Sequence, residues 1–273
     1  MNGLSVVLAR GVVLVVAAGY LFVCLYVFFR QRAMLYHPGA VSEERMERLA
    51  GENGMSRWRD KDGKPIGWMT DGNPGELPVV IFQGNAGNAL DRLAIIGRLR
   101  VAGARGRICV ADYPGYGPAP GSPSQRSLTA AAERALDSIP GRAIVVGESL
   151  GTGVAAQAAG RHPGKVRGMI LITPFESMVS AAAHHYPWLP VRLLLLDRFD
   201  SVTALKTFPK PVAIILGDDD ETTPPEGARR LFARLTGPKR LFEVEKASHN
   251  EAALNLSDEA WRDVWRFVSQ GPR

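Results

Sequence analysis

A serine stands between two glycines in the stretch Gly147-Glu148-Ser149-Leu150-Gly151, directly after the apolar run at residues 143–146. The run predicts a buried strand, and the residues after the second glycine predict a helix. Two glycines allow a tight turn that larger side chains would block. The pattern G-x-S-x-G between a strand and a helix is typical of a nucleophile elbow, whereas without that context it is a chance loop. A serine hydroxyl becomes a useful nucleophile only when a base takes its proton, so the chain must also supply a histidine and an acid.

His249 is the candidate base. It follows residues 240–244, which are interpreted as the last strand, so its loop can carry the imidazole back to the serine. The alternative is a surface histidine without a partner. The other four histidines have other interpretations. His184 and His185 fit a structural or lid role, because a paired-histidine metal site would need further ligands at suitable spacing and none is evident. His162 lies at a predicted helix end, and His37 follows the N-terminal apolar run.

The candidate acid lies in a run of four carboxylates, from Asp218 to Glu221, directly after the predicted strand at residues 211–217. A carboxylate at this point would accept the imidazole N–H, fix its tautomer and stabilise the imidazolium. A solvated charged loop or a calcium loop is the alternative, but the run lacks the alternating ligand spacing of a calcium loop. The residues alone leave the choice between Asp219 and Asp220 open.

An oxyanion hole needs two backbone N–H groups directed at the developing negative charge. Leu150, the residue after the candidate nucleophile, supplies one. The loop at residues 83–88, after the predicted strand at 78–83, supplies the second, which we assign to Asn85. A phosphate-binding loop is the competing interpretation, but no Gly-Lys-Ser/Thr follows these glycines.

Taken in this order, these segments resemble the α/β-hydrolase superfamily. Within it, the chain is similar to the membrane-anchored branch with an HGNAGN turn, which includes depalmitoylase-like and lysophospholipase-like serine hydrolases. The resemblance rests on Gln83-Gly84-Asn85-Ala86-Gly87-Asn88, Asp112-Tyr113-Pro114-Gly115-Tyr116-Gly117, Gly121-Ser122-Pro123-Ser124, the elbow at Ser149, the spacing Gly217-x-x-Asp220-x-x-Thr223-Pro224, and Ser248-His249-Asn250.

The resemblance implies a triad of Ser149, Asp220 and His249, because the family's acid stands three residues after the glycine and four before the proline. It also implies that no metal or organic cofactor is needed. Two positions depart from the family pattern: Gln83 replaces the histidine that opens the oxyanion turn, and Thr223 replaces the usual valine before the proline.

Residues 11–29 are nineteen consecutive uncharged residues. As a helix they span about 28 Å, close to the hydrocarbon thickness of a bilayer. A cleaved signal peptide is the alternative, but the run ends in large aromatic residues and Arg30 rather than small residues. The pattern therefore favours a single-pass N-terminal anchor. Arginines are more frequent after the run than before it, which favours a cytoplasmic catalytic domain by a small margin and leaves the side of the membrane open.

The length of 273 residues fits one catalytic domain plus an anchor. The net charge of +6 comes from scattered arginines without interleaved aromatic residues, which argues against nucleic-acid binding and fits an anionic membrane surface or a general arginine bias. We expect an anchor at 1–32, a juxtamembrane segment at 33–54 and an α/β-hydrolase domain at 55–273, and we expect the domain to fold and stay soluble without residues 1–32.

Strands and helices are expected to alternate, which predicts a mainly parallel eight-stranded sheet with helices on both faces. The insertion at 175–208 breaks the alternation and is either a lid or a helix packed on the domain. Expected strands are 55–60, 65–70, 78–83, 106–112, 143–148, 166–173, 211–217 and 239–244, and expected helices are 88–102, 124–138, 150–161, 225–235 and 256–269.

The function implied is a serine hydrolase that forms an acyl-enzyme on Ser149 and cleaves a carboxylic ester or thioester. The substrate would be a small-molecule or lipid ester, and the apolar insertion together with the anchor favours a lipid-derived acyl chain. A serine peptidase of the same fold and a non-catalytic scaffold are the alternatives.

Overall fold

Eight strands form one mixed sheet in a computed structural model that describes residues 3–271. In chain order they are β1 Met55–Arg59, β2 Pro65–Thr70, β3 Val79–Phe82, β4 Ile108–Ala111, β5 Ala143–Glu148, β6 Val166–Ile172, β7 Val212–Gly217 and β8 Lys239–Val244. Their spatial order is β8-β7-β6-β5-β3-β4-β2-β1. From β4 to β8 all neighbours pair in parallel, whereas β2 pairs antiparallel with both β1 and β4.

Helices cover both faces of this sheet, as the sequence predicts. They are α1 Gly3–Leu35, α2 Glu43–Glu52, α3 Leu93–Ala102, α4 Gln125–Asp137, α5 Leu150–Arg161, α6 Met178–His185, α7 Val191–Leu194, α8 Ser201–Ala204, α9 Pro225–Arg234, α10 Ala252–Asn255 and α11 Asp258–Gln270, with 3-10 turns at Ala89–Arg92 and Pro163–Lys165. The predicted helix at 88–102 therefore begins as a 3-10 turn. Asn88 and Asp91 form a capping box there, which fixes the chain as it leaves the turn after β3.

Side chains of the central strands alternate between two core layers. Val80 and Phe82 of β3 belong to the layer that also contains residues of α4, α5 and α9. Val79 and Ile81 of the same strand belong to the layer that also contains residues of α3 and α11. Successive strand side chains point to opposite faces, so a strand with helices on both sides is apolar throughout. This explains why the central strands appear in the sequence as unbroken apolar runs.

The segment 33–54, expected to be a juxtamembrane segment, contains a helix and a short strand pairing. It contains α2, whose Met46 and Ala50 are buried. Before it, His37 and Pro38 pair in parallel with Ala86 and Gly87. The polypeptide that leaves α1 is therefore hydrogen-bonded directly to the loop after β3.

Helix α1 is a candidate membrane span by length and composition: within its stretch Val7–Leu35, an 18-residue window has a mean hydropathy of 2.7 and is 6% buried. Its C-terminal half contacts the rest of the protein. Val23, Cys24 and Val27 pack against apolar residues of the insertion at 175–208, which holds α6, α7 and α8.

Candidate active site

Ser149 occupies the turn between β5 and α5 with φ 51° and ψ −120°. A positive φ is costly for any residue with a side chain, and it persists only where the surroundings impose it. Here the close packing around the turn, which its two glycines permit, holds Ser149 in this conformation. A β-carbon at Gly147 would lie 2.6 Å from the carbonyl oxygen of Gly151, and one at Gly151 would overlap the carbonyl of Phe82. The turn therefore brings the start of α5 against the end of β3 and projects the serine from the sheet.

Replacing Gly151 by Ala is expected to destabilise the fold by about 3 kcal/mol, because the added methyl group meets backbone atoms that cannot rotate away. Gly97→Ala is the matched control, since a β-carbon at this α3 position meets nothing within 4 Å. The control should gain about 0.5–1 kcal/mol. Thermal or urea unfolding of the two variants measures both changes. Equal stability of the two variants would contradict the close packing at the elbow.

The structure brings Ser149, His249 and Asp220 together in one hydrogen-bonded chain. The Nε2 atom of His249 lies 2.9 Å from the Oγ of Ser149, and its Nδ1 lies 2.7 Å from Oδ2 of Asp220. A carboxylate accepts only, so Nδ1 carries the proton and Nε2 is free to accept from the serine hydroxyl. The three residues come from the loops after β5, β7 and β8, at the carboxyl ends of parallel strands.

Asp220 is held by more than the histidine. It is 4% exposed, and its Oδ1 accepts from the backbone N–H groups of Thr222 and Thr223 at 2.9 and 2.8 Å. Burial acts to raise the pKa of this carboxyl, but His249 and the Thr223 hydrogen bonds outweigh it and hold the pKa below its usual value. Asp218 and Asp219 are exposed, so the structure places only Asp220 of the three aspartates against the histidine.

Thr223 is a site residue that sequence reasoning missed. Its Oγ1 lies 2.8 Å from Oδ2 of Asp220, 3.1 Å from the carbonyl of Thr173 and 3.2 Å from Nδ1 of His249. A hydroxyl has a single proton to donate, so donation to Asp220 competes with donation to Thr173. The only signal in the sequence was the replacement of the family's usual valine at this position.

The proposed oxyanion donors lie on the two segments that meet at the serine. Among the residues that the structure describes, neither the N–H of Leu150 nor that of Asn85 donates a hydrogen bond. The turn that carries Asn85 lies close to the serine, since a β-carbon at the neighbouring Gly84 would lie 3.6 Å from the Cβ of Ser149. Two unengaged donors beside a serine are what an oxyanion hole requires.

The Asn85 turn is fixed from outside by tyrosines and by the end of α1. Its carbonyl accepts from the hydroxyl of Tyr116 at 2.7 Å and from the N–H of His37 at 2.8 Å. Its side-chain amide donates to the carbonyl of Leu35 at 3.1 Å. Gln83, the residue in place of the family's histidine, is fully buried, and its carbonyl accepts from Tyr113 at 3.1 Å. The turn is thus held through its backbone carbonyls, and not through the side chain of Gln83, whose polar atoms have no hydrogen-bond partner among the described residues.

A second unpredicted feature ties the oxyanion turn to the elbow. Arg92, just after the turn, forms an ion pair with Glu148, the residue before the serine. Burial lowers the pKa of the guanidinium, and nearby Asp91 opposes this. The position of Glu148 within the G-x-S-x-G pattern is variable by definition, so the motif carried no information about this partner.

The histidine pair at 184–185 lies outside this chain of residues. The rings of His184 and His185 meet edge to face at 5.3 Å, and Nε2 of His185 lies 2.8 Å from the carbonyl of Thr222. Within residues 3–271, no three His, Cys, Asp or Glu side chains gather as metal ligands would.

Comparison with known proteins gives the family of the fold. The family model described as the alpha/beta hydrolase fold matches residues 78–209. An uncharacterised protein of Mycobacterium tuberculosis is 33% identical over 256 residues, which cover 89% of this chain and 88% of that protein. Alpha/beta hydrolase domain-containing protein 17C of Xenopus tropicalis is 29% identical over 208 residues, 72% of this chain and 64% of its own length.

Solved structures agree on the fold. The monoacylglycerol lipase of Paleococcus ferrophilus superimposes with a TM-score of 0.56 at 20% identity, over 74% of this chain and 97% of that enzyme. The strand order, the elbow between β5 and α5, and these matches lead to one assignment. The chain belongs to the α/β-hydrolase family, in company with the domain-containing protein 17 relatives.

Proposed function

We propose that the protein is a serine hydrolase that cleaves a carboxylic ester or thioester of a lipid-derived acyl group. The observation that carries the proposal is the hydrogen-bonded chain from Ser149 through His249 to Asp220, with distances of 2.9 and 2.7 Å. A hydrolase fold alone would not suffice, because one fold hosts many activities and function must be argued from the site.

In the proposed reaction, Oγ of Ser149 attacks the acyl carbonyl while its proton passes to Nε2 of His249. The carbonyl oxygen becomes an oxyanion held by the N–H groups of Leu150 and Asn85. His249 then returns the proton to the departing alcohol or thiol, and an acyl-enzyme remains on Ser149. A water molecule attacks this ester, gives its proton to His249, and releases the carboxylic acid as the serine is restored.

Asp220 supports this cycle through the histidine rather than through the substrate. As a carboxylate it holds the proton on Nδ1 and stabilises the imidazolium that forms when Nε2 accepts the serine proton. The lowered pKa of Asp220 keeps it ionised throughout the neutral range. The hydroxyl of Thr223 and two backbone N–H groups fix the carboxylate's orientation.

The lipid part of the proposal rests on α1 and on the insertion beside it. The proposed anchor at 1–32 would hold the site at a membrane surface, with the domain at 55–273 beyond it. Large apolar side chains on both α1 and the insertion are exposed in the isolated chain. Exposed apolar surface of this extent is typical of a membrane or ligand contact. An acyl chain delivered from lipid is the substrate that such a placement favours.

Hydrolysis of p-nitrophenyl esters from acetate to palmitate, with a peptide p-nitroanilide beside them, tests the proposal. We expect ester cleavage with kcat/KM rising with chain length, by up to about fourfold for each methylene buried. A peak at two to four carbons would contradict the lipid substrate, and faster anilide cleavage would support a peptidase. A folded protein inert towards all of them would support a scaffold. Recovery of the full-length protein in the soluble fraction would contradict the anchor.

A further inference from the structure

The insertion packs along the apolar part of α1, and its contacts are not confined to the C-terminal end of that helix. The hydroxyl of Tyr20 donates to the carbonyl of Trp188 at 2.8 Å. Eleven residues later on α1, the side-chain amide of Gln31 donates to the carbonyl of Leu194 at 3.1 Å and accepts from the N–H of Leu196 at 2.8 Å. The residues 186–196, here called the apolar loop, therefore cover one side of α1 from Tyr20 to Gln31.

The end of this contact is secured by a buried carboxylate. Oδ2 of Asp197 accepts from the Nε of Arg32 and from the hydroxyl of Tyr36, each at 3.0 Å. Asp197 is buried, so removing its partners would leave an uncompensated charge. The apolar loop is thus fixed to α1 by hydrogen bonds at both of its ends.

The rise per residue of α1 shows how deep in a bilayer the apolar loop would lie. From Tyr20 to Phe29 the helix advances about 14 Å, and the uncharged run ends only at Arg30. If the hydrocarbon instead began at Tyr20, the remaining helix at residues 3–19 would supply about 25 Å, which is short of the roughly 30 Å needed. That stretch would also carry Arg10 near its middle. A bilayer-spanning α1 therefore takes the apolar loop into the membrane with it.

The composition of the loop suits that position. Trp188, Leu193 and Leu196 are 56%, 81% and 52% exposed, so each would face lipid rather than protein. Arg192 is the single charged residue among residues 186–196. A long arginine side chain reaches the headgroup layer from a shallow position, and tryptophan favours the same interface.

A cavity of about 120 Å³ lies between the loop and α1. Its walls are almost wholly apolar and include Val27, Met34 and Leu35 from α1, and Ala182, Leu189 and Leu194 from the insertion. At one end stands Leu35, whose carbonyl accepts from the side chain of Asn85 in the oxyanion turn. The cavity thus extends along α1 from Val27 to Leu35, and Leu35 is hydrogen-bonded to the turn that holds a proposed oxyanion donor.

We propose that the apolar loop is embedded in one leaflet and that this cavity receives the acyl chain of a membrane lipid entering sideways from that leaflet. The inference rests on the proposed function and extends it, because α1 becomes a wall of the substrate site as well as an anchor. A lipid acyl chain is the occupant that fits, since both walls are apolar and both lie at hydrocarbon depth.

Loop depth is tested without any catalysis. The full-length protein is reconstituted in vesicles whose phosphatidylcholine carries bromine on the acyl chains, and tryptophan fluorescence is recorded. We expect strong quenching that largely disappears in Trp188→Phe and persists in the control Trp265→Phe, which alters a tryptophan on α11. Equal quenching in the wild type and Trp188→Phe would overturn the embedded loop.

The cavity is tested by filling it from each wall separately, with Met34→Trp on α1 and Ala182→Phe on α6. With lysophosphatidylcholines as substrates, we expect each variant to lower the palmitoyl-to-hexanoyl ratio of kcat/KM at least tenfold. Ala130→Phe, which adds similar bulk at an exposed position of α4, should leave the ratio unchanged. An unchanged ratio in either folded cavity variant would overturn the proposal.

Two further outcomes separate this proposal from the function beneath it. If an S-palmitoyl peptide is cleaved and the lysolipids are not, the lipid occupant is wrong although the hydrolase is correct. If the wild-type protein fails to react with a fluorophosphonate, the proposed hydrolase function itself has failed, whatever the depth of Trp188.

Discussion

The Ser149→Ala protein is expected to hydrolyse p-nitrophenyl acetate at least about 10³-fold more slowly than the wild type. The substitution removes the only oxygen that lies within hydrogen-bond reach of the Nε2 of His249 in the described structure. The fold should survive, because alanine retains the β-carbon and Ser149 makes no side-chain cap to α5. Initial rates at saturating ester, with unfolding temperatures measured beside them, give the result.

Ser138→Ala is the control for this loss. Its hydroxyl donates only to the carbonyl of Arg134 at the end of α4, so its activity should match that of the wild type. Retention of most ester hydrolysis by a folded Ser149→Ala protein would show that another group performs the chemistry.

The Asp220→Asn enzyme is expected to lose activity by a comparable factor, up to about 10⁴-fold in kcat. The asparagine amide can donate to Nδ1 of His249, which moves the imidazole proton to Nε2. A protonated Nε2 cannot accept the proton of Ser149, so the base is present in the wrong tautomer. The geometry itself should persist, because the side chains are equal in shape. Steady-state kinetics on an ester substrate measures the loss.

Matched substitutions separate this effect from a general loss of negative charge. Asp219→Asn, at the exposed neighbouring position, should retain nearly full activity. Thr223→Val removes one hydrogen bond to Asp220 but leaves the two backbone donors, so it should cost about tenfold or less. Loss of activity in Asp219→Asn together with retained activity in Asp220→Asn would show that Asp219 is the acid and that the assignment to Asp220 is wrong.

Much of the fold was predictable because its signals are local. The central strands are buried on both faces, so runs such as residues 143–146 stand out without any alignment. Helix starts also carry a local signal that the prediction did not use, since Ser124 caps α4 and Ser257 caps α11. The elbow was predictable for the same reason, since strand, turn and helix follow each other within the sequence.

Contacts between distant segments were not predictable in this way. The Arg92–Glu148 ion pair and the hydrogen bonds of the Thr223 hydroxyl with Thr173 and His249 join residues that are far apart in the sequence. The sequence around each of these residues does not indicate its partner. The packing of α1 on the insertion is the most consequential example. Deleting residues 1–32 would remove Arg32 from Asp197 and uncover Leu189 and Val191, so we now expect the shortened protein to be less stable and prone to aggregate.

The central claim, that Ser149 is the nucleophile activated by His249, is tested most directly by locating a covalent adduct. After reaction with a fluorophosphonate and digestion with trypsin, the peptide at residues 143–161 contains a single serine, Ser149. We expect the adduct mass on this peptide in the wild type and its absence in Ser149→Ala and His249→Ala. A folded wild-type protein without the adduct, or with the adduct on another peptide, would contradict the claim.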